Sequence, residues 1–212
     1  MERWTFGEAP LAQTERAAAL LRAVTGRLLA LEGDEPEVDR LIADLEQIDG
    51  ALAAKVPLDA GPRVGDKAGG VGRVYLDHAR DIGAFNPCFP DYMITVDGVR
   101  AGGTVAFPLA YEGPPGVVHG GFLAVFFDCV IQHHNCDVGV AGKTVSLTLR
   151  YRRPAPLMRT LTYEIDRDVS DDRIRSTARL FDGDRLLCEA EMDAVAGDRA
   201  NLPAVSPRRS RA

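Results

Sequence analysis

Residues 119–135 read His119-Gly120-Gly121-Phe122-Leu123-Ala124-Val125-Phe126-Phe127-Asp128-Cys129-Val130-Ile131-Gln132-His133-His134-Asn135. The run is nearly all apolar at its start, so periodicity alone does not separate a helix from a buried strand. Its length of about four helical turns, and the Gly- and Pro-rich entry before it, favour a helix buried on most sides. Upstream, residues 92–96 and 101–109 flank Asp97-Gly98, a turn pair suited to a hairpin. Downstream come four strand candidates, 143–151, 160–168, 173–181 and 186–195, the last two joined by Asp182-Gly183. Alternation in 145–149 and 174–180 fits strands with one buried face. A hairpin, one apolar helix and a run of antiparallel strands make an α+β domain, its sheet wrapped around a single central helix.

Working outward, Leu20, Leu21, Val24, Leu28 and Leu31 recur at helical spacing, and Gly33 follows as a stop. A second amphipathic stretch begins near Asp34 or Glu35, with Pro36 suited to a first helical turn. It carries Val38, Leu41, Ile42, Leu45, Ile48 and Leu52 on one stripe and ends at Pro57. Two such helices with a short connection suggest a hairpin, or arms that pack on another part of the protein. The expected organisation is therefore an N-terminal helical segment over 1–56, a linker rich in Gly and Pro over 57–72, and the α+β domain over 73–196. A polar tail follows over 197–212, ending Arg208-Arg209-Ser210-Arg211-Ala212, and is expected to be disordered.

The 212 residues carry a net charge of -6, which argues against nucleic acid or an anionic membrane surface as a partner. No apolar run approaches the ~20 residues of a membrane-spanning helix. The N-terminus, Met1-Glu2-Arg3-Trp4-Thr5, has no continuous apolar stretch of the kind a signal peptide needs. Cys88, Cys129, Cys136 and Cys188 show no paired spacing, so neither a disulfide framework nor a zinc site is expected, and the cytoplasm is the simplest location.

Asp128 is the main anomaly. A carboxylate among Phe126, Phe127, Cys129, Val130 and Ile131 costs several kcal/mol to bury unless it is paired, hydrogen-bonded or protonated. It is either a satisfied structural acid or a nucleophile or general base. The start of the same helix favours chemistry. Residues 113–121 bring Gly120 and Gly121 to a helix N-terminus, where unpaired N–H groups and the helix dipole suit a developing oxyanion. His119 either caps this turn or bonds the substrate carbonyl. Gly120 and Asp128 are eight residues apart, ~12 Å along a helix, whereas oxyanion donor and base must both lie within ~3 Å of the reacting group. An antiparallel helix from a second copy solves this, so composite sites at a two-fold homodimer interface are expected.

Tyr111-Glu112-Gly113-Pro114-Pro115-Gly116-Val117-Val118-His119-Gly120-Gly121, then Asp128, then Thr144-Val145-Ser146-Leu147-Thr148-Leu149-Arg150-Tyr151-Arg152-Arg153-Pro154-Ala155-Pro156-Leu157, resembles the PaaI-type hotdog-fold thioesterases of the 4-hydroxybenzoyl-CoA thioesterase superfamily. The resemblance covers roughly residues 86–195. It implies a hotdog fold and hydrolysis of an acyl-CoA thioester without metal or redox cofactor. It further implies that Gly120 N–H polarises the carbonyl and that Asp128 acts from the opposite subunit. Thr144 then helps to position the attacking water. Asn86, Gly121, Arg150, Arg152 and Arg153 complete the candidate substrate contacts, the arginines as ligands for CoA phosphates or as a solvated strand end. Strand alternation separates Arg150 and Arg152 from Tyr151 and Arg153. One departure stands out: Gly and Pro occupy the place, a few residues before the histidine, where some members carry Asn or Gln.

His133, His134 and Cys136 raise the question of a metal, but adjacent helical histidines diverge by about 100° and no further ligand is suitably spaced. Cys129 has no evident base beside it and reads as core. The competing function is a non-catalytic acyl-CoA-binding or ligand-sensing protein, with a hotdog hydratase as a weaker third reading. A dimer and a dimer of dimers are both compatible with the chain.

Overall fold

The computed structural model describes residues 5–6, 12–55, 64–66, 73–75, 82–136, 143–171 and 173–195. Strands β1 (Thr5–Phe6), β2 (Val64–Asp66) and β3 (Arg73–Tyr75) make a small sheet, in which β1 runs parallel and β2 antiparallel to the central β3. A strand thus sits within the stretch read as linker. The tail from Gly197 lies outside the described residues.

Helix α1 (Ala12–Leu28) and helix α2 (Pro36–Ala53) occupy the N-terminal segment, α2 starting at the expected proline. At the backbone, more of α1 lies close to α3 (Ile82–Phe85) than to α2. Helices α1 and α2 share an apolar groove near their connection, lined by Val24, Leu28, Leu31, Val38 and Leu41. Helix α1 packs on α3 and on a 3-10 turn (Leu109–Tyr111). Ala18 is buried there, and Arg22 Nη1 donates to the carbonyls of Gly83 (2.7 Å), Asn86 (3.0 Å) and Phe89 (3.4 Å). A guanidinium suits this place because carbonyls at a helix end lack intrahelical partners. Helix α2 has no buried residue, and Leu45, Ile48 and Leu52 remain exposed.

The main sheet is built from β4 (Tyr92–Asp97), β5 (Arg100–Ala106), β6 (Lys143–Tyr151), β7 (Thr160–Ser170), β8 (Arg173–Asp182) and β9 (Arg185–Val195), in the order β4-β5-β7-β8-β9-β6. All pairs are antiparallel. Helix α4 (Gly120–Asn135) connects β5 near one edge to β6 at the other, and so crosses the sheet. Its bounds coincide with the apolar run. The sheet bends around it, helped by Gly103, where a Cβ would fall 1.8 Å from the Met93 carbonyl oxygen.

The core follows from the two periodicities meeting. Phe126, Phe127, Val130 and Ile131 of α4 are fully buried against Leu161, Tyr163 and Ile165 of β7, Ile174, Ala178 and Leu180 of β8, and Ala190 and Ala194 of β9. Phe126 is the hub, with aromatic rings of Phe89, Phe107 and Tyr163 at 6.3, 5.3 and 5.3 Å. Side chains of this kind contribute ~1.5–3 kcal/mol each on burial. The Tyr163 hydroxyl is satisfied by the Met93 carbonyl at 2.8 Å. One face of α4 stays open, with Phe122 39% and Val125 51% exposed. Strand β6 bonds only β9, leaving its other edge unpaired among the described residues. No helix among the described residues is long and apolar enough to cross a membrane.

Candidate active site

The loop into α4 is held from both sides. His119 N donates to the Tyr111 carbonyl (2.8 Å), Gly113 N to Val117 (2.8 Å), and Val118 N to Ala155 (2.9 Å). Gly116 N donates to Glu112 Oε1 (2.7 Å), and Leu157 N to the Gly116 carbonyl (3.1 Å). The Pro154–Leu157 part of the motif therefore cradles the Gly-Pro loop of its first part, which explains why the two strings occur together. Gly113 has a steric reason to be glycine: a Cβ there would lie 2.9 Å from His119 Cα.

His119 is the N-cap of α4, with Nδ1 accepting from Gly121 N at 3.0 Å. That bond places the neutral ring's proton on Nε2, leaving a second donor at the loop. The capping and chemical readings of this histidine are thus compatible. It also occupies the Gly121 N–H. The N–H of Gly120 has no acceptor among the described residues, as expected for a first helical residue. The Gly120 carbonyl accepts from the Tyr151 hydroxyl at 2.9 Å, and a Cβ on Gly120 would meet the Tyr151 ring at 3.1 Å. Tyr151, which reaches α4 from the end of β6, was not among the sequence candidates. Burial raises its phenol above the usual range.

Asp128 lies half-buried, beside the open face of α4. Thr144, the second residue of β6, donates to its Oδ1 at 2.8 Å. Gln132 Nε2 in turn donates to Thr144 Oγ at 2.8 Å. Gln132 is a second residue that sequence reading missed; a polar side chain one turn after Asp128 on an apolar helix was the available signal.

Tyr151 turning towards α4 sends its neighbours Arg150 and Arg152 to the other face of the sheet, as alternation requires. Arg150 pairs with Glu191, and Arg152 Nε with Glu189 at 2.5 Å, both across to β9. Arg153 Nη1 donates to the Leu186 carbonyl at 2.9 Å. Asn86 uses its side-chain oxygen to accept from Cys88 N at 2.9 Å, holding the turn under α1. His133 Nδ1 meets the Tyr92 hydroxyl at 2.7 Å, and His134 Nε2 the Gly98 carbonyl at 2.9 Å.

No family model and no curated protein matches the chain. Solved structures do. A crystal structure of a thioesterase superfamily protein matches 90% of this chain and 98% of its own, at 29% identity and a TM-score of 0.71. The chain has the hotdog fold and is similar to thioesterase superfamily proteins. A phenylacetic acid degradation-related protein from Ralstonia eutropha matches 49% of this chain and 83% of its own, at 21% identity and TM-score 0.46. A thioesterase protein from Streptococcus pneumoniae, solved with coenzyme A, matches 57% and 92%, at 18% identity and TM-score 0.47.

Proposed function

We propose that this hotdog protein hydrolyses acyl-CoA thioesters to free acid and CoA at two sites shared between the subunits of a two-fold dimer. The observation that carries the reading is the pair of poised groups at the two ends of one helix stretch. Gly120 N–H is without an acceptor among the described residues, and Asp128 is held by the Thr144 hydroxyl. At ~12 Å apart along the helix they serve different carbonyls. A two-fold axis that sets Gly120 against Asp128 of the partner subunit passes near Ala124, on the side of α4 where Phe122 and Val125 are open. The unpaired edge of β6 offers a second contact, by continuation of the sheet.

In the proposed reaction the thioester carbonyl rests on Gly120 N–H, with His119 Nε2 beside it. Asp128 of the partner subunit takes a proton from water, and the hydroxide adds to the carbonyl carbon. The oxyanion draws on the N–H and the helix dipole. Collapse breaks the C–S bond, and the departing thiolate recovers the proton. In the alternative order, the carboxylate itself adds, CoA leaves, and water opens the resulting anhydride. Among the three arginines, Arg153 suits the CoA phosphates best, because Arg150 and Arg152 already face carboxylates.

The test is thiol release from a panel of acyl-CoA substrates by the wild type and Asp128→Asn. Turnover that falls by ~100-fold or more in the variant is expected. Tight acyl-CoA binding without thiol release by the wild type would make the chain a binding or sensing protein instead.

A further inference from the structure

We infer that Gln132 is a positioning residue that sets the direction of the Thr144 proton, so that Asp128 receives it. This rests on the proposed role of Asp128. A threonine hydroxyl has one proton and two lone pairs. Gln132 Nε2 donates to Thr144 Oγ at 2.8 Å, so the proton cannot point back along that line; of the two acceptors left to it, Asp128 Oδ1 at 2.8 Å is charged and far nearer than the Met192 sulfur at 4.0 Å, and the proton goes to the carboxylate.

The amide itself has a determined orientation. Nε2 faces two acceptors, Thr144 Oγ and the Met192 sulfur at 3.7 Å, while Oε1 has no hydrogen-bond partner. Turned over, the amide would set Oε1 against the sulfur, and it would accept the threonine proton that Asp128 now receives. Gln132 is only 5% exposed, so packing between α4, β6 and β9 holds it in place. Asp128 and Gln132 are four residues apart on one helix, hence on one side of it, and Thr144 bridges them from β6. The relay Gln132–Thr144–Asp128 thus has both ends on a rigid element and its movable hydroxyl in the middle.

Without the amide, the hydroxyl rotates among its staggered positions and spends less time on the carboxylate. The substrate is untouched, so the effect falls on turnover. The experiment compares Gln132→Met, which keeps the volume and removes the donor, with Thr144→Val, Thr144→Ser and the Gln132→Met/Thr144→Val double variant, in the full-length protein. Gln132→Met should lower kcat ~10-fold with KM within about twofold. Thr144→Ser, which keeps the hydroxyl, should retain more turnover than Thr144→Val, and in the Thr144→Val background the Gln132 change should lose its effect.

Gln132→Met with wild-type kcat overturns the inference, as does an equal loss in the Thr144→Val background, which would mean that Gln132 acts by packing alone. Asp128→Asn, run alongside, separates the two levels. An inactive Asp128→Asn with an unaffected Gln132→Met refutes the relay and spares the site, whereas an active Asp128→Asn refutes both. Urea melts of each variant exclude unfolding as the cause. If Gln132→Met does not fold, Gln132→Glu repeats the comparison: ionised, it accepts the Thr144 proton, and it should cost more kcat than Thr144→Val. A Gln132→Glu protein that turns over like wild type overturns the inference equally.

Discussion

Replacing Gly120 by proline removes one backbone proton and little else. Gly120 is the first residue of α4, the helical position where proline is best tolerated. The residue before a proline must be extended, and His119 already has φ -64° and ψ 132°. With no acceptor for Gly120 N–H among the described residues, the fold gives up no hydrogen bond at that atom. The steric change is a Cβ 3.1 Å from the exposed Tyr151 ring, which can swing away. Its hydroxyl then loses the Gly120 carbonyl, at about 0.5–1.5 kcal/mol. Gly120→Ala imposes the same Cβ and keeps the N–H, so the pair isolates the proton. Removal of one oxyanion donor costs about 2.7–4 kcal/mol, or roughly 10²–10³ in kcat. In urea melts the two variants should agree within ~1 kcal/mol. In thiol release the alanine variant should retain most of its turnover, and the proline variant should lose ~100-fold or more. A folded proline variant that turns over like the alanine variant would refute the assignment of the oxyanion to this N–H.

Arg22→Met leaves three carbonyls without their cation and should lower stability by about 2–3 kcal/mol in urea melts; an unchanged midpoint would mean that the arm is not anchored there. Arg153→Ala should raise KM for acyl-CoA severalfold, and more than Arg150→Ala does, and equal effects would remove the distinction drawn from their partners. At alkaline pH, burial raises the Cys188 thiol from 9.0 to about 11 and lifts the Tyr111 and Tyr163 phenols well above 10.0. These groups ionise more readily in the unfolded chain, so their contribution is complete below pH 9 and lost as pH rises. The slope is about 1.4 kcal/mol per pH unit from Cys188 between 9 and 11, with roughly 2.7 more from the tyrosines above 10. An unfolding midpoint unchanged from about pH 8 to 10.5 would contradict this.

The sequence is most informative where burial and periodicity agree. Helix α4 and strands β6 to β9 are legible because a helix apolar nearly all round needs a sheet on several sides, and the strands alternate to supply it. Strand β5 stops short of Leu109 because Phe107-Pro108 leads into a 3-10 turn, and proline has no N–H for the ladder. The small sheet is not legible: β1 and β3 pair residues 5 and 74, and three-residue strands show no alternation. Nor does an amphipathic stripe reveal its partner, so α1 on α3 and an open α2 come only from tertiary structure. In the site, Asp128, Gly120 and Thr144 stand out by type and spacing. Tyr151 does not, and Gln132 shows only as a polar residue one turn after Asp128, because the roles of both depend on what β6 and α4 bring opposite each other.

Mixing two inactive variants tests the shared site most directly. Asp128→Asn keeps a working Gly120, and Gly120→Pro keeps a working Asp128. Unfolded and refolded together in equal amounts, half of the dimers are mixed, and each mixed dimer holds one intact site of two if the sites span subunits. Thiol release should then return to about a quarter of the wild-type rate from two nearly silent parents. A mixture that stays as inactive as its parents, with mixed dimers verified by mass, would place Gly120 and Asp128 outside any common site and contradict the shared-site mechanism.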